Sequence, residues 1–270
     1  MDKKASICKH INCNEPKKQG GWDYCHYHQE RGPFGFGETY EQYQIIEQDF
    51  IDFIKVVPLE DRDHHSVHSP VLRDIILRTC SQIEIFFKEW GLFMISEGKN
   101  PELLESYNKK YKGKIGGERN WNFGDYFSIK TQINNFNGVY VRQLDEYIQP
   151  FKSWTNDTPP EWWNAYNSIK HGGLNSKKES TLKNSLYAIA ALFQLHCSND
   201  YSRKYLQEFT TNRIIYSVND VYVHFNEIST PIDSKRFLFK YGADSSRKEL
   251  KLITDKRLES KLRELKSRRC

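Results

Sequence analysis

Three cysteines and one histidine lie close together near the N-terminus of the 270-residue chain, in the order Cys8, Cys13, Cys25 and His28. The spacing Cys-x4-Cys-x11-Cys-x2-His gives two pairs of soft ligands, which suits tetrahedral coordination of Zn²⁺. A segment this small cannot bury a core by itself, so the metal would supply much of its folding energy. The pattern predicts a structural Cys3His zinc site with no open coordination position for catalysis.

The same segment resembles small zinc modules that open some bacterial and phage proteins acting on nucleic acids. The residues that carry this resemblance are Cys8, Cys13, Gly21, Cys25, His28 and Arg31. It implies a structural zinc and contact with DNA or RNA, although many such modules only dock proteins. His10 and His26 are spare donors, and His26 is an alternative to His28.

A second group of chemically capable residues follows the tandem Trp162-Trp163, where Asn167 precedes Lys170-His171 near the end of a predicted helix. Residues four apart share a helix face, so Asn167 is placed to orient the His171 ring and fix its tautomer.

Two stretches of the chain resemble a group of HEPN-like bacterial proteins. The first is His68-Ser69-Pro70 through Arg73, followed by Cys80-Ser81-Gln82-Ile83-Glu84 and Lys88. The second is Trp163-x2-Tyr166-Asn167-x2-Lys170-His171, followed by Thr181-Leu182-Lys183-Asn184 and Ala188-x-Ala190-Ala191-Leu192-Phe193. Together they cover roughly half of the chain.

The HEPN resemblance implies a helical bundle, often dimeric, that can carry a metal-independent RNase of a toxin or antiviral-defence type. If the helices pack as it implies, Arg73 and Glu84 face Asn167, Lys170 and His171, and these five residues form the candidate catalytic set. A structural polar cluster that fixes how the helices meet is an equal alternative. Glu84 and Lys88 (an i,i+4 pair) are more typical of a simple helix salt bridge than of a site.

The sequence departs from the pattern of active HEPN members, in which an Arg precedes the His with four to six residues between them. Those positions are occupied by Asn164, Ala165 and Tyr166. Lys170 supplies a positive charge, but its side chain points about 100° away from that of His171 on a helix. The pair Arg62 and His68 has the required interval, but it falls in a polar stretch after Pro58 that favours a loop.

Charge is distributed unevenly over the chain, whose net formal charge is +5. Residues 1–31 carry +2 and residues 247–270 carry +6, which leaves −3 for the residues between them. Basic ends are compatible with contacts to a phosphate backbone, and solvated ends are the plainer alternative.

No run of about 18 apolar residues is present, and the N-terminus has no apolar signal-peptide core. We therefore expect a cytoplasmic protein with reduced thiols, in which Cys80 and Cys197 are buried in helices. No P-loop, dinucleotide fingerprint or nucleophile elbow occurs.

The positioning elements follow from periodicity and from Pro and Gly signals. Helices are predicted over residues 38–57, about 70–96, from Pro160 to His171-Gly172-Gly173, about 178–197 and over the last 24 residues. A strand is predicted near 139–141, and strand-like runs occur within 212–241. Residues 98–137 are predicted to be loops with short strands. The fold class is therefore α+β and mainly α, a helical bundle with short strands and a small N-terminal zinc module. The predicted domains are the zinc module (1–31), a Gly-rich linker (32–37), the HEPN-like domain (38–210) and a strand-containing segment with a basic C-terminal helix (211–270).

Three functions fit these observations. They are a HEPN-type endoribonuclease, a non-catalytic nucleic-acid-binding protein and a protein-interaction module.

Overall fold

The computed structural model describes residues 7–8, 13–16, 36–113, 115–131, 138–199, 232–233 and 239–241. Within them the chain is mainly helical, with short strands, which confirms the predicted α+β class at that level. The α-helices are α1 (Phe36–Ile54), α2 (Pro70–Ser96), α3 (Pro101–Lys110), α4 (Phe123–Lys130), α5 (Glu161–Gly172) and α6 (Leu182–Ser198). The strands are β1 (Val139–Val141), β2 (Glu146–Ile148), β3 (Ile232–Asp233) and β4 (Phe239–Tyr241). Short 3-10 helices span Arg62–Ser66, Gly117–Asn120 and Gly173–Glu179.

Helix α2 has the bounds that the sequence predicts. The Ser69 hydroxyl accepts a hydrogen bond from the Leu72 amide, and Pro70 occupies the first turn, where its missing N–H costs nothing. Its buried face includes Ile76, Ile83 and Phe87, which recur at the helical period. This helix packs against α1, α3, α4, α5 and α6, so it is the main scaffold of the fold.

Helix α6 lies at the centre of the core. The Thr181 side chain caps it by accepting from the Asn184 amide, so it begins a few residues later than the predicted start near 178. Its side chains are buried almost all round, including Leu186, Ile189 and Phe193. A helix that is covered on every side must be enclosed by its neighbours, and α1, α2 and α5 pack against it.

Helix α5 begins after Pro160 and ends at Gly172, as predicted. Trp162 and Trp163 are buried in the core, and the Trp162 indole donates a hydrogen bond to the Pro150 carbonyl at 2.9 Å. The two tryptophans are therefore packing residues, as the sequence favours, rather than surfaces for stacking bases.

The loop prediction for residues 98–137 is wrong over much of its length, because α3 and α4 form there. Asn100 caps α3 ahead of Pro101, which is the same signal that opens α2. Asn122 and Asp125 form a capping box that starts α4.

The strands form one antiparallel sheet in the order β2-β1-β4-β3. The predicted strand at 139–141 is confirmed, and Tyr140 pairs with Tyr147 of β2 and with Lys240 of β4. Segments far apart in sequence, 139–148 and 232–241, therefore contribute to the same sheet. The runs at 214–216 and 221–223 and the C-terminal helix lie outside the described residues.

Helix α1 begins at Phe36, so the last two residues of the predicted linker are helical, and it ends at Ile54, before the predicted stop at Pro58. Among the described residues, no helix is both long enough and apolar enough to cross a bilayer.

Candidate functional site

A polar cluster joins α2 to the C-terminal end of α5. The Lys170 ammonium lies 3.1 Å from Glu84 Oε1, and the Tyr166 hydroxyl donates to the same oxygen at 3.0 Å. Lys170 also donates to the Tyr166 hydroxyl at 2.9 Å. The Lys88 ammonium is 3.9 Å from Glu84 Oε2, so the cross-helix partner is closer than the i,i+4 partner on the same helix.

The sequence reasoning missed the role of Tyr166, which the apolar period marks only as a core position. Residues 166 and 170 are four apart and share the face of α5 that meets α2. The Tyr166 ring is buried and contacts the Trp163 ring, with centroids 5.5 Å apart. The Lys170 ammonium also lies 5.0 Å from the centroid of the Tyr166 ring. Tyr166 therefore both supports the packing of α5 and holds the cation.

The environment fixes the charge state of this cluster. Burial raises the pKa of Tyr166, the Lys170 hydrogen bond opposes that rise, and the Glu84 charge adds to it. Partial burial lowers the pKa of Lys170, but hydrogen bonds to Tyr166 and Glu84 outweigh burial, so that pKa is raised overall. At neutral pH the tyrosine is a neutral hydroxyl and the lysine is a cation.

The same cluster affects two neighbouring buried groups. Burial raises the pKa of Cys80 well above its usual value, and the Glu84 charge adds to this effect. Burial followed by Glu84 also raises the pKa of Tyr126. Cys80 and Cys197 are both fully buried, as predicted, so neither thiol is placed to act as a nucleophile.

His171 and Asn167 lie on the adjacent face of α5 and are not part of the Glu84 cluster. His171 is exposed and Asn167 is half-buried. Among the described residues no hydrogen bond joins these two side chains, so the predicted orientation of the His171 ring by Asn167 is not formed in this structure. The imidazole is open to solvent one position after Lys170, about 100° further round the helix.

Arg73 does not join the cluster, contrary to the expected meeting of five residues. It lies eleven positions before Glu84 on α2, which corresponds to about 16 Å along the helix axis. The N-terminal end of α2, which carries Arg73, instead lies near the start of α6, where the Leu182 amide donates to the Val67 carbonyl. Glu84 and Lys170 are thus brought together, while Arg73 lies at the other end of the bundle.

The alternative pair Arg62 and His68 is also separated. Arg62 opens a 3-10 helix and binds Glu146 at 2.5 Å, whereas His68 lies beyond that helix in an isolated bridge with Thr181. The expected loop therefore contains one short helical segment, and the two side chains are not stacked on a common helix. His65 is directed to the Leu59 carbonyl at 3.1 Å.

Comparisons with family models, curated proteins and solved structures found no match for this chain. The HEPN-like resemblance and the zinc ligand set therefore stay predictions.

Part of the N-terminal cysteine segment is described. Ile7 and Pro16 form an antiparallel bridge, and the Cys8 amide donates to the Glu15 carbonyl at 2.9 Å. The chain therefore reverses direction between Cys8 and Glu15. Two cysteines close to such a short reversal fit the first half of a Cys3His site.

The second half of that site, Cys25 and His28, lies outside the described residues. Within the part of the chain that is described, no group of three or more His, Cys, Asp or Glu side chains is arranged to hold a metal.

Proposed function

We propose that the chain is a nucleic-acid-associated zinc protein whose helical domain is HEPN-like and cleaves RNA without a metal. One observation carries this proposal: the exposed His171 directly follows Lys170 at the end of α5, and the charge of Lys170 is held in place by Glu84 and Tyr166. An exposed imidazole at the same helix end as a fixed cation is the minimum equipment for cleaving a phosphodiester bond.

In the proposed reaction His171 accepts the proton of a ribose 2′-hydroxyl, and the 2′-oxygen attacks the adjacent phosphorus. The bond between phosphorus and the 5′-oxygen breaks, and the leaving oxygen takes a proton from the imidazolium or from water. The product is a 2′,3′-cyclic phosphate. Lys170 would stabilise the charge that develops on the phosphate oxygens, and Glu84 and Tyr166 would position that lysine.

Non-catalytic binding to RNA or DNA is the second candidate, and the position of Arg73 favours it. Arg73 is remote from His171, and the cation that precedes His171 in the chain, Lys170, shares its charge with Glu84. Such a surface binds phosphate more readily than it stabilises a transition state. In this case the zinc module and the basic C-terminal segment would supply most of the affinity.

The first experiment is cleavage of a mixed cellular RNA pool in EDTA by the full chain and by its His171→Ala variant. Cleavage by the wild type alone supports the RNase. His68→Ala removes another exposed histidine and should cleave as the wild type does, whereas loss of cleavage in it and not in His171→Ala would assign the chemistry to the Arg62–His68 pair. If EDTA abolishes cleavage but the His171→Ala variant still cleaves, the chemistry is assigned to a metal instead.

Binding separates the remaining candidates if no cleavage occurs. Affinity for RNA or DNA that falls steeply with salt supports the non-catalytic binding protein, whereas no affinity leaves the protein-interaction module. Sedimentation of the same samples tests the homodimer that a HEPN-like domain implies. We place the protein in the cytoplasm, where reduced thiols would keep Cys8 and Cys13 available for zinc.

A further inference from the structure

A cleft of about 660 Å³ opens between β2, the segment that follows it and the first turns of α5 and α6. This volume lies within the range of about 300–1,000 Å³ that is usual for small-molecule sites. Its lining includes Tyr147, Pro150, Lys152, Lys183 and Tyr187. None of these residues belongs to the cluster around Lys170.

The floor of the cleft is rigid. Trp162 and Pro150 are buried there, and the hydrogen bond from the Trp162 indole to the Pro150 carbonyl locks the ring against the backbone. The Phe151 ring packs on Trp162, with centroids 5.9 Å apart. A ligand would therefore meet a preformed surface.

Aromatic side chains form two walls of the cleft. The Tyr147 ring is 41% exposed and leans on the Tyr140 ring of β1, with centroids 5.2 Å apart. Tyr187 comes from α6 and is half-buried, and among the described residues its hydroxyl makes no hydrogen bond. Planar rings of this kind are platforms on which a base stacks without regard to its identity.

Two lysines supply positive charge at the cleft. Lys183 shares a face of α6 with Tyr187, four residues later, and its ammonium is held 2.7 Å from Glu161. Lys152 is exposed, and within the described part of the chain its ammonium has no carboxylate at ion-pair distance. One cation is thus positioned by a neighbouring acid, and the other is available to an anion.

The cleft is separate from the proposed RNase site. Glu161 marks the start of α5 and Lys170 its end, nine residues later, which is about 14 Å along the axis and about half a turn round it. The cleft and the cluster around Lys170 therefore lie at opposite ends and on opposite faces of the same helix. A ligand at one of them does not require a ligand at the other.

We propose that this cleft binds a nucleoside phosphate, with the base against Tyr147 and Tyr187 and the phosphate on Lys152 and Lys183. The nucleotide is either free or one unit of a single-stranded RNA, because both present the same base and phosphate chemistry. Binding is selective for a ligand that carries both groups, since rings and cations line the same cleft.

Calorimetric titration of the full chain tests this proposal, with AMP, CMP, GMP and UMP in turn and inorganic phosphate as the reference. We expect at least one mononucleotide to bind more tightly than phosphate, and the Lys152→Gln/Lys183→Gln variant to weaken that binding about tenfold or more. Tyr187→Ala should weaken it without changing the affinity for phosphate. Lys109→Gln, which removes an exposed lysine on α3, is the matched control and should bind as the wild type does.

A second titration uses a short single-stranded RNA and separates the two sources. Binding of the RNA but of no mononucleotide, lost in the same double-lysine variant, assigns the cleft to a unit of the strand. Equal affinities in the wild type and the cleft variants overturn the proposal. His171→Ala should leave the cleft unaffected, so a failure of the proposed RNase and a failure of the cleft are read from different variants.

Discussion

Lys170 and Glu84 are 86 positions apart in the chain, yet their charged groups lie 3.1 Å apart between α5 and α2. The Lys170 side chain is 42% exposed and the Glu84 side chain 20% exposed, so solvent screens the attraction only in part. The pair fixes the rotation of α5 on α2 and decides which residues of α5 reach solvent. His171 is exposed because it lies about 100° round the helix from Lys170 and so away from the face of α5 that meets α2.

Glu84→Gln should weaken this junction. We expect the free energy of unfolding to fall by about 1 kcal/mol, since the pair is partly screened and charged pairs of this kind contribute little more. The pKa of Lys170 should fall as well, because hydrogen bonding to Glu84 helps to raise it. Urea denaturation and an NMR titration of the lysine measure the two effects. Glu105→Gln, an exposed position on α3, is the matched control, and equal losses in both variants would contradict the assigned role.

His196 should make stability depend on pH. Its side chain is fully buried among aromatic rings, and the centroids of the Tyr40 and Phe86 rings lie 5.5 and 5.6 Å from that of the imidazole. Burial lowers the pKa of His196 from 6.5 to about 3, although a hydrogen bond with the Thr39 backbone acts in the opposite direction. Below pH 6.5 this histidine is protonated in the unfolded chain, whereas it stays neutral in the folded chain. The free energy of unfolding therefore decreases as the pH falls from about 6.5 to about 3, by up to about 1.4 kcal/mol per pH unit.

The measurement for His196 is the slope of stability against pH between about pH 4 and pH 6. His196→Leu removes the titrating group and should reduce the slope even if the variant is less stable at every pH. His68→Gln removes an exposed histidine and should leave the slope unchanged. An identical slope in the wild type and His196→Leu would show that other titrating groups cause the loss of stability at acid pH.

Gly91→Ala should destabilise the packing of α2. A Cβ at this position would lie 2.4 Å from a Trp121 ring carbon and 2.8 Å from the Ile129 side chain, so the buried neighbours must shift. Overpacking of this kind costs about 1–3 kcal/mol. Thermal or urea unfolding gives the value. Gly124→Ala is the matched control, because the nearest atom to a Cβ at this position is 3.5 Å away and helix propensity favours alanine by up to about 1 kcal/mol. A loss of stability in Gly124→Ala as large as that in Gly91→Ala would refute the packing explanation.

The purified chain should contain about one zinc per molecule if Cys8, Cys13, Cys25 and His28 bind a metal as proposed. Elemental analysis of Cys8→Ser should show the zinc lost, since a site with three ligands holds the metal less tightly. Cys270→Ser removes a cysteine outside the motif and should keep its zinc. Zinc retained by Cys8→Ser, or absent from the wild type, would rule out this ligand set.

The sequence predicts those elements of the fold that carry strong local signals. Ser69 and Pro70 open α2, and buried apolar residues then repeat along 27 positions, so its bounds follow from capping and period alone. Helix α3 shows the opposite case. It buries only Leu103 and Tyr107, which is too little to reveal a period, although Asn100 and Pro101 repeat the opening signal of α2.

The candidate site is predictable only in part, because its contacts are tertiary. The chemistry of Lys170 and Glu84 marks them as candidates, but nothing local shows that they meet. The apolar period of α5 marks Tyr166 only as a core position. Its hydroxyl can donate to Glu84 only because α2 packs against α5. Arg73 shares the helix of Glu84, but only the packing of α5 and α6 on that helix shows that Arg73 lies away from Lys170.

The sheet has a consequence for synthesis on the ribosome. Strand β1 pairs on one side with β2, a few residues later, and on the other with β4, roughly 100 residues later. At about 5–20 residues per second, β1 would emerge with one open edge for some seconds before its second neighbour exists. An open strand edge is a template for pairing with other chains, so the nascent protein can pair wrongly through β1 during this interval.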